Sequence, residues 1–113
     1  MQEKGRRTMY IEFEKEYLEE LFTTGKCSDK KHRFQPEVVK RYVNCVKVLS
    51  RASSIESLYP IKSLNYEVLI GDKAGISSIR IDRKYRLEFT VSKQYEQEII
   101  TICTLLDISN HYQ

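Results

Sequence analysis

Strict alternation of apolar and polar residues opens the chain: Met9, Ile11 and Phe13 alternate with Tyr10 and Glu12, which predicts a strand from Thr8 to Phe13. From Glu14 the period lengthens to that of a helix, with Tyr17, Leu18, Leu21 and Phe22 on one side and Glu16, Glu19 and Glu20 outward. Gly25 suits its stop. Lys26 to Phe34 reads as a basic loop, and Pro36 fits the first turn of a second helix. There, Val39, Tyr42, Val43, Val46 and Leu49 keep the spacing of a buried stripe. Lys40, Asn44, Lys47 and Arg51 follow one another along the opposite side.

Residues 52–76 have no regular period and contain Ser53-Ser54, Pro60, Gly71-Asp72 and Gly75. They predict a long connection with a short ordered piece near Tyr59–Leu64; long connections in small domains often carry function. Three strands then close the chain. Ile79 and Ile81 point one way while Ser78, Arg80 and Asp82 point the other. Next, Tyr85, Leu87, Phe89 and Val91 point inward, with Arg86, Glu88 and Thr90 outward. The last strand, Glu98–Leu106, is apolar on both sides, as fits the middle of a sheet.

Facing residues share a side, so the connection between the first two of these strands holds an odd number of residues. A loop of Asp82-Arg83-Lys84 sets Arg80 opposite Arg86, whereas another loop sets Asp82 there instead. Two facing guanidinium groups are unfavourable unless something anionic lies between them. The order strand, helix, helix, long loop, three-stranded meander predicts an α+β fold. Both helices pack on one face of a small, mainly antiparallel sheet, and the other face is polar and basic.

At 113 residues there is room for one domain spanning residues 1–113, with 1–7 expected as a flexible tail. No run of about 18 apolar residues exists, so no membrane helix is encoded. No apolar stretch follows the basic N-terminal residues, so no secretory signal is expected and the cytoplasm is the expected compartment. Cys27, Cys45 and Cys103 are odd in number and far apart, and the only histidines are His32 and His111. That pattern predicts buried or half-buried free thiols, with neither a metal site nor another cofactor.

The net charge of +3 is unevenly spread. Residues 26–51 carry eight Lys/Arg against Asp29 and Glu37, while residues 1–25 carry six glutamates against four basic residues. A basic stretch of this size can steer a polyanion, and it also fits an ordinary solvated helix face.

Three segments resemble a known family. Leu58-Tyr59-Pro60-Ile61-Lys62 is similar to a leucine, histidine, proline, leucine, lysine element. Gly75-Ile76-Ser77-Ser78-Ile79-Arg80-Ile81, followed by Lys84-Tyr85-Arg86-Leu87-Glu88-Phe89, is similar to a hairpin whose second strand opens on a tyrosine-arginine pair. Leu106-Asp107-Ile108-Ser109-Asn110-His111-Tyr112 is similar to a terminal segment that commonly ends in aspartate, tyrosine, histidine. Over residues 58–112 the chain thus resembles the HigB-type plasmid-maintenance toxins of the RelE/ParE superfamily. The likeness is looser over the helices, where Leu21-Phe22-Thr23-Thr24-Gly25 is the best fragment.

The resemblance implies the toxin of a toxin–antitoxin system, a ribosome-dependent endoribonuclease that cuts messenger RNA on the concave sheet face. Its implied partners are a HigA-like helix-turn-helix antitoxin, the ribosome and mRNA, with DNA reached only through the antitoxin and no membrane. Cleavage without a metal needs a proton acceptor for the ribose 2′-hydroxyl, a proton donor for the leaving oxygen and cations for the phosphorane charge.

His111 is the first candidate for proton transfer, since imidazole titrates near neutral pH. Arg86 is the candidate for charge stabilisation, because a guanidinium offers bidentate donors to phosphate. Lys62 matches the family's active-site lysine. Tyr59 stands where relatives often have histidine, and a phenol there can hydrogen-bond or stack on a base. If His111 aligns with the family's last histidine, Ser109 and Asn110 replace the aspartate and tyrosine; if Tyr112 takes the tyrosine role, the order is inverted. Arg80, Lys84, Lys40, Lys47 and Arg51 are candidate RNA contacts. A ParE-like gyrase inhibitor acting as a protein ligand, or a catalytically decayed nucleic-acid-binding partner, would share this fold.

Overall fold

The computed structural model describes residues 7–95 and 99–110. Strand β1 (Arg7–Phe13) is followed by helices α1 (Glu16–Thr24) and α2 (Pro36–Arg51). A short strand β2 (Glu67–Val68), then β3 (Ser77–Arg80), β4 (Arg86–Tyr95) and β5 (Ile99–Ser109), complete a five-stranded sheet in the order β1-β5-β4-β3-β2. The sheet is antiparallel except for β1 and β5, which run parallel with Arg7 beside Ile99 and Phe13 beside Leu105. The α+β arrangement expected from the residue pattern is the one observed.

Alternation decides which side chains meet the helices. Cys103 and Leu105 of β5, Leu87 and Phe89 of β4 and Ile79 of β3 are fully buried. They pack against Leu18 and Leu21 of α1 and Tyr42, Val46 and Leu49 of α2 in one core. Burying each such side chain contributes roughly 1.5–3 kcal/mol. β5 lies between β1 and β4, which accounts for its apolar residues on both faces. The Tyr42 hydroxyl donates to the Leu18 carbonyl at 2.7 Å and joins the two helices inside the core.

Gly25 ends α1 in the left-handed conformation (φ 80°), and its N–H donates to the Leu21 carbonyl at 3.0 Å. Pro36 stands at the start of α2. Several boundaries differ from the sequence reading. α1 starts at Glu16 because the Glu14 N–H is still used by the sheet, donating to the Leu105 carbonyl at 2.8 Å. β5 runs on to Ser109 because a bulge beside Glu88 and Phe89 takes up the extra residue and lets Ser109 pair with Arg86. The connection 52–76 is more ordered than expected. It holds a 3-10 turn at Glu56–Leu58, the strand β2 and another 3-10 turn at Gly71–Lys73, anchored by buried Ile55, Leu58 and Leu64.

The expected tail 1–7 lies outside the described residues except for Arg7, which belongs to β1. The outer face expected to be polar and basic is polar but of mixed charge. By register that face carries Glu12, Glu88 and half-buried Ile102 as well as Arg80 and Arg86, while α2 carries Lys40, Arg41, Lys47 and Arg51. No helix among the described residues is long and apolar enough to cross a membrane.

All three cysteines are free; Cys27 is half-buried, and Cys45 and Cys103 are buried. Burial pushes the thiols of Cys45 and Cys103 up to about 11. At pH 8 each is then a thiolate in only about one molecule per thousand. A thiol reagent is therefore expected to label Cys27 quickly in the native protein and Cys45 and Cys103 only on unfolding. Three fast thiols in the native state would contradict this packing.

Candidate functional site

The register of the β3–β4 hairpin sets Arg80 opposite Arg86, so the three-residue connection Asp82-Arg83-Lys84 is the one adopted. Asp82 shapes the turn, its Oδ1 accepting from the N–H groups of Lys84 and Tyr85 at 2.8 Å each. The two facing guanidinium groups are tolerated because their surroundings differ. Arg80 is exposed, whereas Arg86 is only 2% exposed and its charge is met by polar atoms. The Arg86 Nε donates to the Ser78 hydroxyl, and its Nη2 donates to the carbonyls of Ser78 at 3.0 Å and Asn65 at 2.5 Å. The charge of Arg86 is thus compensated by hydroxyl and carbonyl dipoles rather than by an anion between the arginines.

Asn65 is the one non-glycine residue at positive φ (46°) among the described residues. Asparagine tolerates this left-handed geometry better than most side chains. The residue closes the turn that carries Lys62: the Asn65 N–H donates to the Lys62 carbonyl at 3.1 Å, and the Asn65 carbonyl receives Arg86. The Arg80 N–H donates to the Leu64 carbonyl at 2.7 Å, which holds this turn against the edge of β3. Lys62 itself is exposed.

Next to Arg86 on the same face lies Glu88, only 4% exposed, whose carboxylate accepts from the Lys73 ammonium at 2.9 and 3.2 Å. Lys73 comes from the 3-10 turn before β3, so its side chain reaches across β3 to β4. Arg86, Ser78, Glu88 and Lys73 together form a cationic and anionic network on the outer face. It can present donors to a phosphate where the ammonium of Lys73, with its side chain 40% exposed, meets solvent.

Beyond this network the candidate residues separate. Tyr59 packs edge-on against Tyr66 with ring centroids 4.9 Å apart. Tyr66 in turn packs on Phe89 and donates to the Ser77 hydroxyl at 2.8 Å. Ser77 and Phe89 pair with each other on the helix-bearing side, so Tyr59 lies across the sheet from Arg86. Lys84 lies at the hairpin tip with its ammonium 5.6 Å from the Tyr85 ring. Lys40 and Lys47 are exposed on α2 and, with Arg80, line a groove between that helix and β3, while Arg51 ends the helix. His111 and Tyr112 lie outside the described residues.

The end of β5 is held to α1 by a second polar cluster. The Tyr17 hydroxyl donates to Asp107 Oδ1 and accepts from the Ile108 N–H at 2.9 Å, and Lys15 pairs with Asp107 at 3.3 Å. Burial first, then the bond to Asp107, raises the Tyr17 phenol far above its usual range and keeps it neutral. The Tyr17 ring stacks on His32 at 3.7 Å, and His32 Nδ1 lies 2.8 Å from Asp29 Oδ2. No group of three or more His, Cys, Asp or Glu among the described residues is placed to hold a metal ion.

No protein-family model matches the chain, and no curated protein matches it. Solved structures do. A YoeB/ParE toxin from Agrobacterium tumefaciens aligns over 92% of this chain and all of its own, with a TM-score of 0.51 and 17% identity. A histidine-to-glutamine mutant of YafQ from E. coli aligns over 92% and 94%, with a TM-score of 0.53 and 11% identity. The YoeB–YefM complex from Staphylococcus aureus aligns over 92% and 98%, with a TM-score of 0.52 and 21% identity. The chain therefore shares the fold of these solved toxin structures; at these identities the likeness carries the fold and nothing finer.

Sequence reasoning singled out Arg86 but missed its holders, Ser78 and Asn65, and the neighbouring Lys73–Glu88 pair. Ser78 and Glu88 were legible, since alternation puts them on the Arg86 face, whereas Asn65 and Lys73 come from irregular segments. A lysine cannot reproduce the guanidinium fork. Arg86→Lys is accordingly expected to lower unfolding stability in urea by about 2–3 kcal/mol. Asn65→Gly is expected to be tolerated, while Asn65→Val costs about 1–2 kcal/mol from left-handed strain. An unchanged urea midpoint for Arg86→Lys would show that these bonds are not what holds the turn.

Proposed function

We propose that the chain is the toxin of a toxin–antitoxin pair and cuts messenger RNA on the ribosome, as the HigB-type resemblance of residues 58–112 suggests. The observation that supports this reading best is the toxin fold itself, combined with a guanidinium held in place on the outer sheet face of the hairpin. A ribonuclease of this kind attacks the phosphodiester with the neighbouring 2′-hydroxyl. Its residues supply a proton acceptor, a proton donor and charge compensation. A ribosome that orients the message lowers the demand on each group.

In this reading Arg86 and Lys62 meet the phosphorane charge from the two sides of the Asn65 turn. His111 moves a proton, and Tyr112 is the second tail candidate. Arg80 and Lys84 contact RNA beside the hairpin. Lys40, Lys47 and Arg51 add a cationic flank on α2. Tyr59 takes part only by stacking at the margin, because its ring is engaged with Tyr66. The partner is an antitoxin, HigA-like on the strength of the resemblance. One structural neighbour is itself a complex, of YoeB with YefM.

One observation favours a gyrase-binding toxin instead: the guanidinium of Arg86 is almost fully buried, and a protein ligand has no need of it in a reaction. Primer extension on messages translated with purified protein separates the two. The nuclease reading expects cuts confined to ribosome-bound codons. It also expects growth arrest on expression, relieved by His111→Ala and by Lys62→Ala with the fold unchanged by circular dichroism; either change should reduce cleavage by about 10²–10⁴-fold. Intact message with stalled DNA supercoiling would replace this proposal by the gyrase alternative.

A further inference from the structure

Where α1 stops and α2 begins, the connecting loop borders a cavity of about 460 Å³. Leu21 of α1, Pro36 and Val39 of α2 and Phe34 of the loop give it an apolar lining. The loop wall is fixed by its own contacts. Asp29 accepts from the Lys31 N–H at 2.9 Å and lies 2.8 Å from His32 Nδ1, and the Cys27 thiol donates to the His32 carbonyl at 3.2 Å. The His32 ring stacks on Tyr17 at 3.7 Å, and Phe34 stands edge-on to Tyr85 at 5.2 Å. Lys26 and Arg33 also line the cavity. Both are exposed, and neither makes an ion pair among the described residues. No acidic residue lines it.

We infer that this cavity binds a small carboxylate whose body is a hydrocarbon ring. Its size and make-up are those of a small-molecule site: pockets of roughly 300–1,000 Å³ hold such ligands on mostly apolar walls with a few polar groups. The charge of the lining sets the sign of the head group. Lys26 and Arg33 bring two positive charges with no carboxylate among the lining residues to offset them. The planar Arg33 fork matches the two oxygens of a carboxylate, and the Lys26 ammonium adds a point charge beside it. The apolar walls set the body, since a ring can lie against Leu21, Phe34 and Val39 and leave water there. A nucleotide also brings a charged head. Its base and sugar, however, carry donors and acceptors that Leu21, Pro36 and Val39 cannot meet, and burying them unpaired is unfavourable. None of these lining residues is assigned to RNA cleavage, so the inference goes beyond that chemistry and does not depend on it.

Phenylacetate titrated into ¹⁵N-labelled protein tests it. The amide signals of His32, Phe34 and Val39 are expected to move, with a Kd of about 1 mM. Phenethyl alcohol has the ring without the charge, and acetate the charge without the ring; each should bind at least about tenfold more weakly. Adenosine monophosphate should also bind more weakly than phenylacetate. The Lys26→Gln, Arg33→Gln double variant should lose about tenfold in affinity for phenylacetate with its thermal unfolding unchanged, since both side chains are exposed. Cys27 lines the same cavity and reports on it directly. Phenylacetate at about ten times its Kd should slow alkylation of Cys27 by neutral iodoacetamide about tenfold. Signals that move elsewhere, a Cys27 that stays unprotected, or a double variant that binds as before would overturn the inference. So would phenethyl alcohol, acetate or adenosine monophosphate binding as tightly as phenylacetate. RNA cleavage is read in a separate assay and can survive or fail whichever result is obtained.

Discussion

A charged guanidinium, nearly sealed from water, sits where three pieces of chain meet. Arg86 begins β4, Ser78 belongs to β3, and Asn65 closes the turn before β2; the two Arg86 nitrogens that bond them tie the irregular half of the molecule to the regular half. Burial of an unpaired guanidinium would cost several kcal/mol, so a chain that buries one must also place its acceptors. That constraint explains the left-handed Asn65, whose carbonyl would otherwise point elsewhere, and the serine at position 78. It also explains how two arginines can stand opposite each other in one hairpin: one is solvated and the other is hydrogen-bonded inward.

The consequence for function is pre-organisation rather than exposure. A cation already held by fixed dipoles does not reorganise when a phosphate arrives, and fixed donors in a water-poor site act more strongly than solvated ones. The Lys73–Glu88 pair beside it adds a second charge balance on the same face. Meanwhile Lys40 and Lys47 of α2 border an aliphatic groove at the β3 edge that Arg80 also lines.

The elements with strong periodicity were legible in the residues. The α2 stripe, the Gly25 stop, the alternating hairpin and the central position of the last strand all follow from burial patterns with a period of 3.6 or 2. The hairpin parity narrowed the facing pairs, and Arg80 opposite Arg86 was one of them. Two things were not legible. Strand β2 and the Gly71–Lys73 turn are held by partners distant in sequence, since Glu67 pairs with Ser78 and Lys73 with Glu88, and no local pattern encodes such pairs. The burial of Arg86 was also hidden, because alternation states which face a side chain takes and not what covers that face. Of the candidate site, Arg86 is bonded to Asn65 in the turn that carries exposed Lys62, Tyr59 turns to the opposite side, and His111 and Tyr112 belong to residues outside the described structure.

The Arg86 side chain can be observed directly by ¹⁵N magnetic resonance of its Nε–H. In the free protein this proton is expected to exchange with water far more slowly than that of Arg51, which is exposed at the end of α2. It should also shift when an uncleavable 2′-O-methyl RNA is added. An Nε–H that exchanges as fast as Arg51's would contradict this picture, because the guanidinium would then be free in solution rather than held by Ser78 and Asn65.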